Sequence, residues 1–266
     1  MKSRKRYRVP ALERAIDVID LLASHDQDLA FTEIMNALNI PKPSLARILG
    51  VLVERGLVTK RDERGLYRLG MQLLYLGGRL ESKLRLRYVA RPHMEALALE
   101  TGKTIELSTL DRDQLILIDQ IEGDEGVRLF TRIGSAYPYF HAIGAGKIYL
   151  AHMEGEKRKE VLRKIGLPMV TKYTIVDMEQ LEGELSDIRA NGFAFEDQEL
   201  REGVRRVVAP IYDSHRKLAG CIGIASPIFS FAYEDRKELA EFVQGAAVRI
   251  SEDMGAARSD YGGIGR

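Results

Sequence analysis

Leu12, Ile16, Ile19, Leu22 and Ala23 recur at helical spacing, which predicts an amphipathic helix over 11–24. Thr32 follows a polar turn at 25–28 and is placed to cap a short helix, 33–38, that Asn39-Ile40-Pro41 stops. A new helix is predicted from 42–44 to Gly56, because proline is tolerated in a first turn and glycine suits a C-cap. It carries Leu45, Ile48, Leu49, Leu52 and Val53 on one face. The period then changes. Leu57–Lys60 and Leu66–Leu69 read as two short strands around the charged turn 62–65. Helix, short helix, turn, helix and hairpin is the order of a winged helix-turn-helix.

From Met71 to about Leu84 the pattern is again helical and rich in leucine, and a further helix is expected over 87–101. Strand-like runs follow at 104–110, 115–121, 127–132, 205–212 and 218–225. Helical stretches are expected at 146–152, 156–164, 178–190 and 233–252. The fold class is therefore α+β in two domains, the second a mostly antiparallel sheet flanked by helices. The expected organisation is a DNA-binding domain over 1–70, a linker helix over 71–85, a second domain over 86–252 and a disordered tail over 253–266.

Charge sharpens the first domain. The whole chain has a net charge of +1, yet residues 1–70 hold 13 Lys/Arg against 9 Asp/Glu. Five of those cations lie between Lys2 and Arg8. A basic first quarter suits phosphate binding. The N-terminus lacks the apolar core of a signal peptide, and no stretch approaches the roughly 18 apolar residues of a membrane span. With Cys221 alone, no internal disulfide or cysteine-held zinc can form. A soluble cytoplasmic protein is expected, with no membrane partner.

A recognition helix presents its N-terminal side chains to base edges in the major groove. Here those are Lys42, Pro43, Ser44, Ala46 and Arg47. Arg47 is the candidate for a guanine contact, since its fork matches two acceptors on that base. Lys42 and Ser44, with Lys60, Arg61 and Arg64 of the wing, are candidates for phosphate contacts. The bland alternative is a winged helix used for protein contacts.

No chemistry of catalysis emerges. Ile143-Gly144-Ala145-Gly146-Lys147 resembles a phosphate loop, but position 141 is His and Ile148 stands where a magnesium-binding hydroxyl belongs. The histidines His25, His93, His141, His152 and His215 have no metal-ligand spacing. Asp213-Ser214-His215 is one turn, where three side chains cannot converge as a triad. Cys221 sits in an apolar strand as an inert thiol. The expectation is no metal, no cofactor and no enzyme; an enzyme acting on a small acid is the remoter alternative.

The segments ALERAIDVIDLLA, ALNIPKPSLARIL, LVERGLV and GLYRLG, then ARPHMEALALETGKTIELS, RIGSAYPYFHAIGAGKIYLA, NGFAFEDQE and EGVRRVVAPI, resemble the IclR family of bacterial regulators. The similarity runs from about 10 to 252. It implies a GAF-like effector-binding domain behind the winged helix, homodimers or tetramers, a roughly palindromic operator in double-stranded DNA, and a small carboxylate or aromatic acid as effector. The family recognition helix usually opens Lys-Ser-Thr, with an aromatic or His before the Arg; Pro43 and Ala46 depart from this.

The resemblance also implies an effector pocket. Backbone amides at Gly144 and Ala145, an acid at Glu196 or Asp197, a family cysteine where this chain has Arg206, and family serines at Gly223 and Ala225 mark it. Tyr137, Tyr139 and Phe140 lie in the preceding loop. A larger, partly aromatic or apolar acid is expected, with Arg206 as its carboxylate partner. The residues leave a second role open for Arg206, a pairing with Glu196 or Glu199.

Overall fold

The computed structural model describes residues 9–61, 65–81, 84–112, 114–124, 126, 129, 131–137 and 139–256. The chain divides into two units, 1–83 and 84–266.

In the first unit, helices α1 (Pro10–Ser24), α2 (Phe31–Leu38) and α3 (Lys42–Glu54) surround a core of Val18, Leu22, Ile34, Leu45, Leu49 and Leu52. Strand β1 (Leu29–Ala30) pairs with β3 (Leu66–Leu69), which also pairs with β2 (Val58–Arg61), giving a small antiparallel sheet in the order β1-β3-β2. Thr32 does not cap α2. The helix begins at Phe31, and the Glu33 carboxylate turns back to accept from the Ala30 N–H at 2.6 Å. That contact satisfies one orphan donor of the first turn, which is the task expected of Thr32. Helix α4 (Met71–Glu81) closes this unit.

The second unit opens with α5 (Arg85–Thr101) and is built on a six-stranded antiparallel sheet. Its strands are β4 (Thr104–Asp111), β5 (Gln114–Ile121), β6 (Ala136–Tyr137), β7 (Ala194–Asp197), β8 (Val204–Tyr212) and β9 (Leu218–Pro227), in the order β6-β5-β4-β9-β8-β7. Helices α6 (Gly144–His152), α7 (Gly155–Ile165), α8 (Met178–Asn191) and α9 (Arg236–Asp253) complete it. Side chains alternate across a strand, so each strand feeds two cores. Ile105, Leu107, Val207, Ala209, Ile222 and Ile224 pack with α5 and α9 on one face. Ala194, Val208 and Cys221 pack with α6 and α8 on the other.

Three further expectations need correction. No strand forms over the described residues of 127–132, Leu129, Thr131 and Arg132; the partner of β5 is instead Ala136–Tyr137. The helix expected from 233 begins at Arg236, after a 3-10 turn at Tyr233–Asp235. The tail expected from 253 is structured as far as Ala256: Asp253 ends α9, Met254 is in the core, and Ala256 is 7% exposed. The rest of that tail, the basic run Lys2–Arg8 and the wing tip with Arg64 lie outside the described residues.

Candidate functional site

The first candidate surface is the N-terminal half of α3. Leu45, Ile48 and Leu49 are buried, while Lys42, Pro43, Ala46 and Arg47 are exposed. The helix starts at Lys42 because Pro43, in its first turn, gives up an N–H that needs no intrahelical partner. Ser44 is half-buried, and its hydroxyl accepts from Arg14 Nη1 of α1 at 3.4 Å. The hairpin β2–β3 contributes two more cations. Lys60 Nζ lies 6.0 Å from the Tyr67 ring centre, and Arg61 pairs with Asp28 at 3.6 Å while staying 61% exposed.

The second candidate surface is the α6-facing side of the large sheet. Register explains who meets there. Glu196 of β7 stands opposite Arg206 of β8, and Arg206 stands opposite Ala225 of β9. One pair along, Val208 faces Gly223, and Gly223 faces Glu106 of β4. Period two puts all of these on the same face as Ala194 and Cys221. Arg206 Nη1 donates to Glu196 Oε1 at 2.9 Å, and its Nε donates to Glu106 Oε2 at 3.0 Å. Glu196 also accepts from the Gly144 N–H at the start of α6, at 3.1 Å, and from the Leu200 N–H at 3.3 Å. Burial works against the Arg206 charge, yet Glu196 and Glu106 together hold its guanidinium above the ordinary range.

Several expected residues fall elsewhere. Asp197 follows Glu196 by one position, so it points to the opposite face, where it pairs with Arg205 at 2.8 Å. Phe140 is 1% exposed and belongs to the core beneath α6. Tyr139 is exposed, and Tyr137 is half-buried on β6. Burial, with Glu106 beside it, pushes the Tyr137 hydroxyl pKa up. Ala145 is buried in α6, and its carbonyl lies 3.9 Å from Cys221 Sγ, a thiol whose pKa burial raises. Arg206 takes the paired role, with Glu196 and, unforeseen, Glu106; Glu199 belongs to Lys147 instead.

Glu106 was therefore missed, although a signal exists. In Thr104-Ile105-Glu106-Leu107-Ser108 the polar residues take every second place, so one face of β4 is polar while both faces are covered. Lys147 was missed for a different reason. It sits in an otherwise apolar stretch of α6, 0% exposed, with Nζ 2.6 Å from Glu184 and 2.5 Å from Glu199. Among the described residues no group of three or more His, Cys, Asp or Glu could hold a metal ion, and no helix is long and apolar enough to cross a membrane.

The family model for the IclR helix-turn-helix domain matches residues 11–62, and that for the bacterial transcriptional regulator IclR C-terminal domain matches residues 79–252. The chain belongs to the IclR family of bacterial transcriptional regulators. The transcriptional repressor IclR of Escherichia coli K12 is 28% identical over 253 residues, spanning 94% of this chain and 92% of that protein. The regulator BhcR of Paracoccus denitrificans is 31% identical over 254 residues, spanning 96% and 90%. A solved IclR regulator from Alicyclobacillus acidocaldarius superimposes with a TM-score of 0.82 at 26% identity, covering 94% of this chain and 100% of that one. An IclR homologue from Microbacterium hydrocarbonoxydans, solved with 4-hydroxybenzoate, gives 0.79 at 26% identity, covering 93% and 100%. As an IclR-family regulator, the chain joins a helix-turn-helix DNA-binding domain to a C-terminal ligand-binding domain.

Proposed function

We propose that this IclR-family chain is a cytoplasmic, ligand-responsive regulator, not an enzyme, that binds a roughly palindromic operator as a homodimer or higher oligomer. Arg47 reads a base edge, and Lys42, Ser44, Lys60 and Arg61 hold phosphates. The observation that carries this reading is the division of α3: its apolar side chains are buried in the small core, which leaves Lys42, Pro43, Ala46 and Arg47 facing out from its first turns. Arg47 has the reach and the planar fork for a purine, whereas Pro43 and Ala46 offer only apolar contact.

Dimer formation is supported by α4, whose Met71, Leu74, Tyr75, Leu76 and Leu80 are exposed. A stripe of that kind on a helix implies a partner surface. A two-fold pair of recognition helices favours half-sites about one turn of DNA apart. A small molecule in the second domain regulates only by binding the operator-competent and incompetent arrangements with different affinity, and DNA must then alter ligand affinity by the same factor. The homologue carrying 4-hydroxybenzoate supports a small organic effector.

The test is fluorescence anisotropy with DNA from upstream of the chain's own gene and its neighbours, at two salt concentrations, beside Arg47→Ala and Lys60→Ala. Specific binding should weaken with salt. Arg47→Ala should lose about 1–3 kcal/mol of discrimination at one base pair, and Lys60→Ala should lower the salt slope by about one ion without changing sequence preference. Absence of any salt-sensitive, sequence-selective binding would remove the regulator reading.

A further inference from the structure

The start of α1 lies beside the start of α3. Arg14, one turn into α1, donates from Nη1 to the hydroxyl of Ser44, in the first turn of α3, at 3.4 Å. A guanidinium carries five N–H donors, so this contact leaves Arg14 capacity for a further acceptor. Upstream of Arg14 the chain turns basic. Pro10 opens α1 and Val9 is 54% exposed, so the chain enters the helix from the surface. Before them, Lys2, Arg4, Lys5, Arg6 and Arg8 place five cations within residues 2–8, and no acid precedes Glu13. Glu13, Asp17 and Asp20 follow at i, i+4 and i+7, an acidic stripe along α1 that repels phosphate. Attraction for DNA is therefore confined to the helix start.

We propose that the start of α1 is a second DNA-contacting element: Arg14, beside Ser44, grips a backbone phosphate at the edge of the recognition helix, and Arg4, Arg6 and Arg8 enter the minor groove that flanks the half-site. The proposal rests on the reading of α3 as the recognition helix. It adds selection for flanking base pairs that α3 does not touch.

Reach and chemistry both suit that groove. Residues 2–8 span up to about 23 Å when drawn out. The major groove is about 12 Å wide, so a segment of this length can cross one phosphate backbone into the neighbouring minor groove. Arg4, Arg6 and Arg8 take every second place, and alternate residues of an extended run share a side. A narrow minor groove, as in A·T tracts, concentrates negative potential and attracts inserted cations. A guanidinium is more weakly hydrated than an ammonium, so arginine gives up less to enter than lysine does. The expected preference is for A·T flanks over G·C, read through groove width.

The experiment uses the full chain and the upstream duplex that it selects, with the base pairs outside the half-sites replaced by A·T tracts or by G·C. Anisotropy titrations at two salt concentrations compare wild type with Arg14→Gln and with Arg4, Arg6 and Arg8 changed together to Lys or together to Gln. Wild type should bind the A·T-flanked duplex about tenfold more tightly than the G·C-flanked one. The triple lysine variant should keep the salt dependence and lose that preference. The triple glutamine variant should lose the preference and about three ions of salt slope. Arg14→Gln should lower the slope by about one ion and keep the preference. Ser44→Ala reads the same grip, as weaker binding to both duplexes, in case Arg14→Gln lowers the melting temperature. Equal binding to both flanks by wild type, or a preference that survives in the triple variants, would overturn the minor-groove role. An unaltered salt slope in Arg14→Gln with unaltered binding in Ser44→Ala would overturn the phosphate grip. A wild type that selects a site but ignores its flanks loses only this proposal; one that selects no site loses the regulator reading as well.

Discussion

Lys147 Nζ lies 2.5 Å from Glu199 Oε1, with the lysine side chain 0% and the glutamate side chain 7% exposed. This pair and the Gly144–Glu196 contact tie the first turn of α6 to the segment around β7 at two points. The ion pair is not a relaxed one: burial pushes the Glu199 carboxyl up to about 7, against the pull of Lys147, and its second oxygen has no partner. The free carboxyl titrates near 4.5, so between about 4.5 and 7 the folded chain holds a proton that the unfolded chain has released. Stability from this group is therefore present at low pH and is lost as pH rises through that window. Glu199→Gln deletes the titration. The stability difference, wild type minus Glu199→Gln, should fall between pH 5 and pH 8 in urea unfolding. A difference that stays flat or rises would show that Glu199 is ionised throughout.

Gly70 joins β3 to α4 and admits no side chain. A Cβ there would lie 2.0 Å from the Gly56 carbonyl oxygen, because the backbone at 70–72 hydrogen-bonds across to Gly56 and Leu57. Gly70→Ala must push the end of α3 away from the start of α4. We expect a loss of more than about 2 kcal/mol in the first unit, the range of changes that force backbone apart. Hydrogen exchange should register it as lost protection in α1–α3, with the sheet of the second unit unaffected. Wild-type protection in α3 of the variant would mean that the turn yields cheaply.

The two-domain α+β architecture and most helices were legible because long periodic segments announce themselves. In α3 the apolar spacing and the proline at its start marked both the element and its exposed face. What escaped was short or paired at a distance. Strand β1 has two residues and β7 four, too few for a period to show, and β7 ends in Glu196-Asp197, which reads as surface. The alternation around 127–132 looked like a strand, but pairing with β5 is decided by Ala136–Tyr137. The site followed the same rule. Resemblance pointed to Arg206 and Glu196, but only register across β4, β9 and β8 brings Glu106 to the same guanidinium from 100 positions away. Parity alone separates Glu196 from Asp197.

Helix α4 exposes Leu74 at 68%, Tyr75 at 58% and Leu80 at 64%. If these meet a second copy, a charge in their midst should weaken association while leaving the monomer folded. Leu74→Glu is expected to raise the dimer dissociation constant at least tenfold, read by sedimentation equilibrium at micromolar concentrations, with unchanged helical content by circular dichroism. It should also weaken binding to a palindromic operator more than to a half-site. An unaltered assembly would move the interface off this helix.

Arg206 holds together charges that repel each other without it. In Arg206→Met, Glu106 and Glu196 keep their buried positions with no cation between them, and Glu196 retains only the Gly144 and Leu200 N–H groups. Removing one member of a buried ionic cluster typically costs about 3–5 kcal/mol, because an uncompensated charge stays behind. Adding Glu106→Gln and Glu196→Gln to Arg206→Met should recover much of the loss, since no buried charge then remains in the cluster. Urea unfolding of the single and triple variants measures this directly. A triple variant no more stable than the single one would mean that Arg206 acts by filling space, with its charge pairing of little weight.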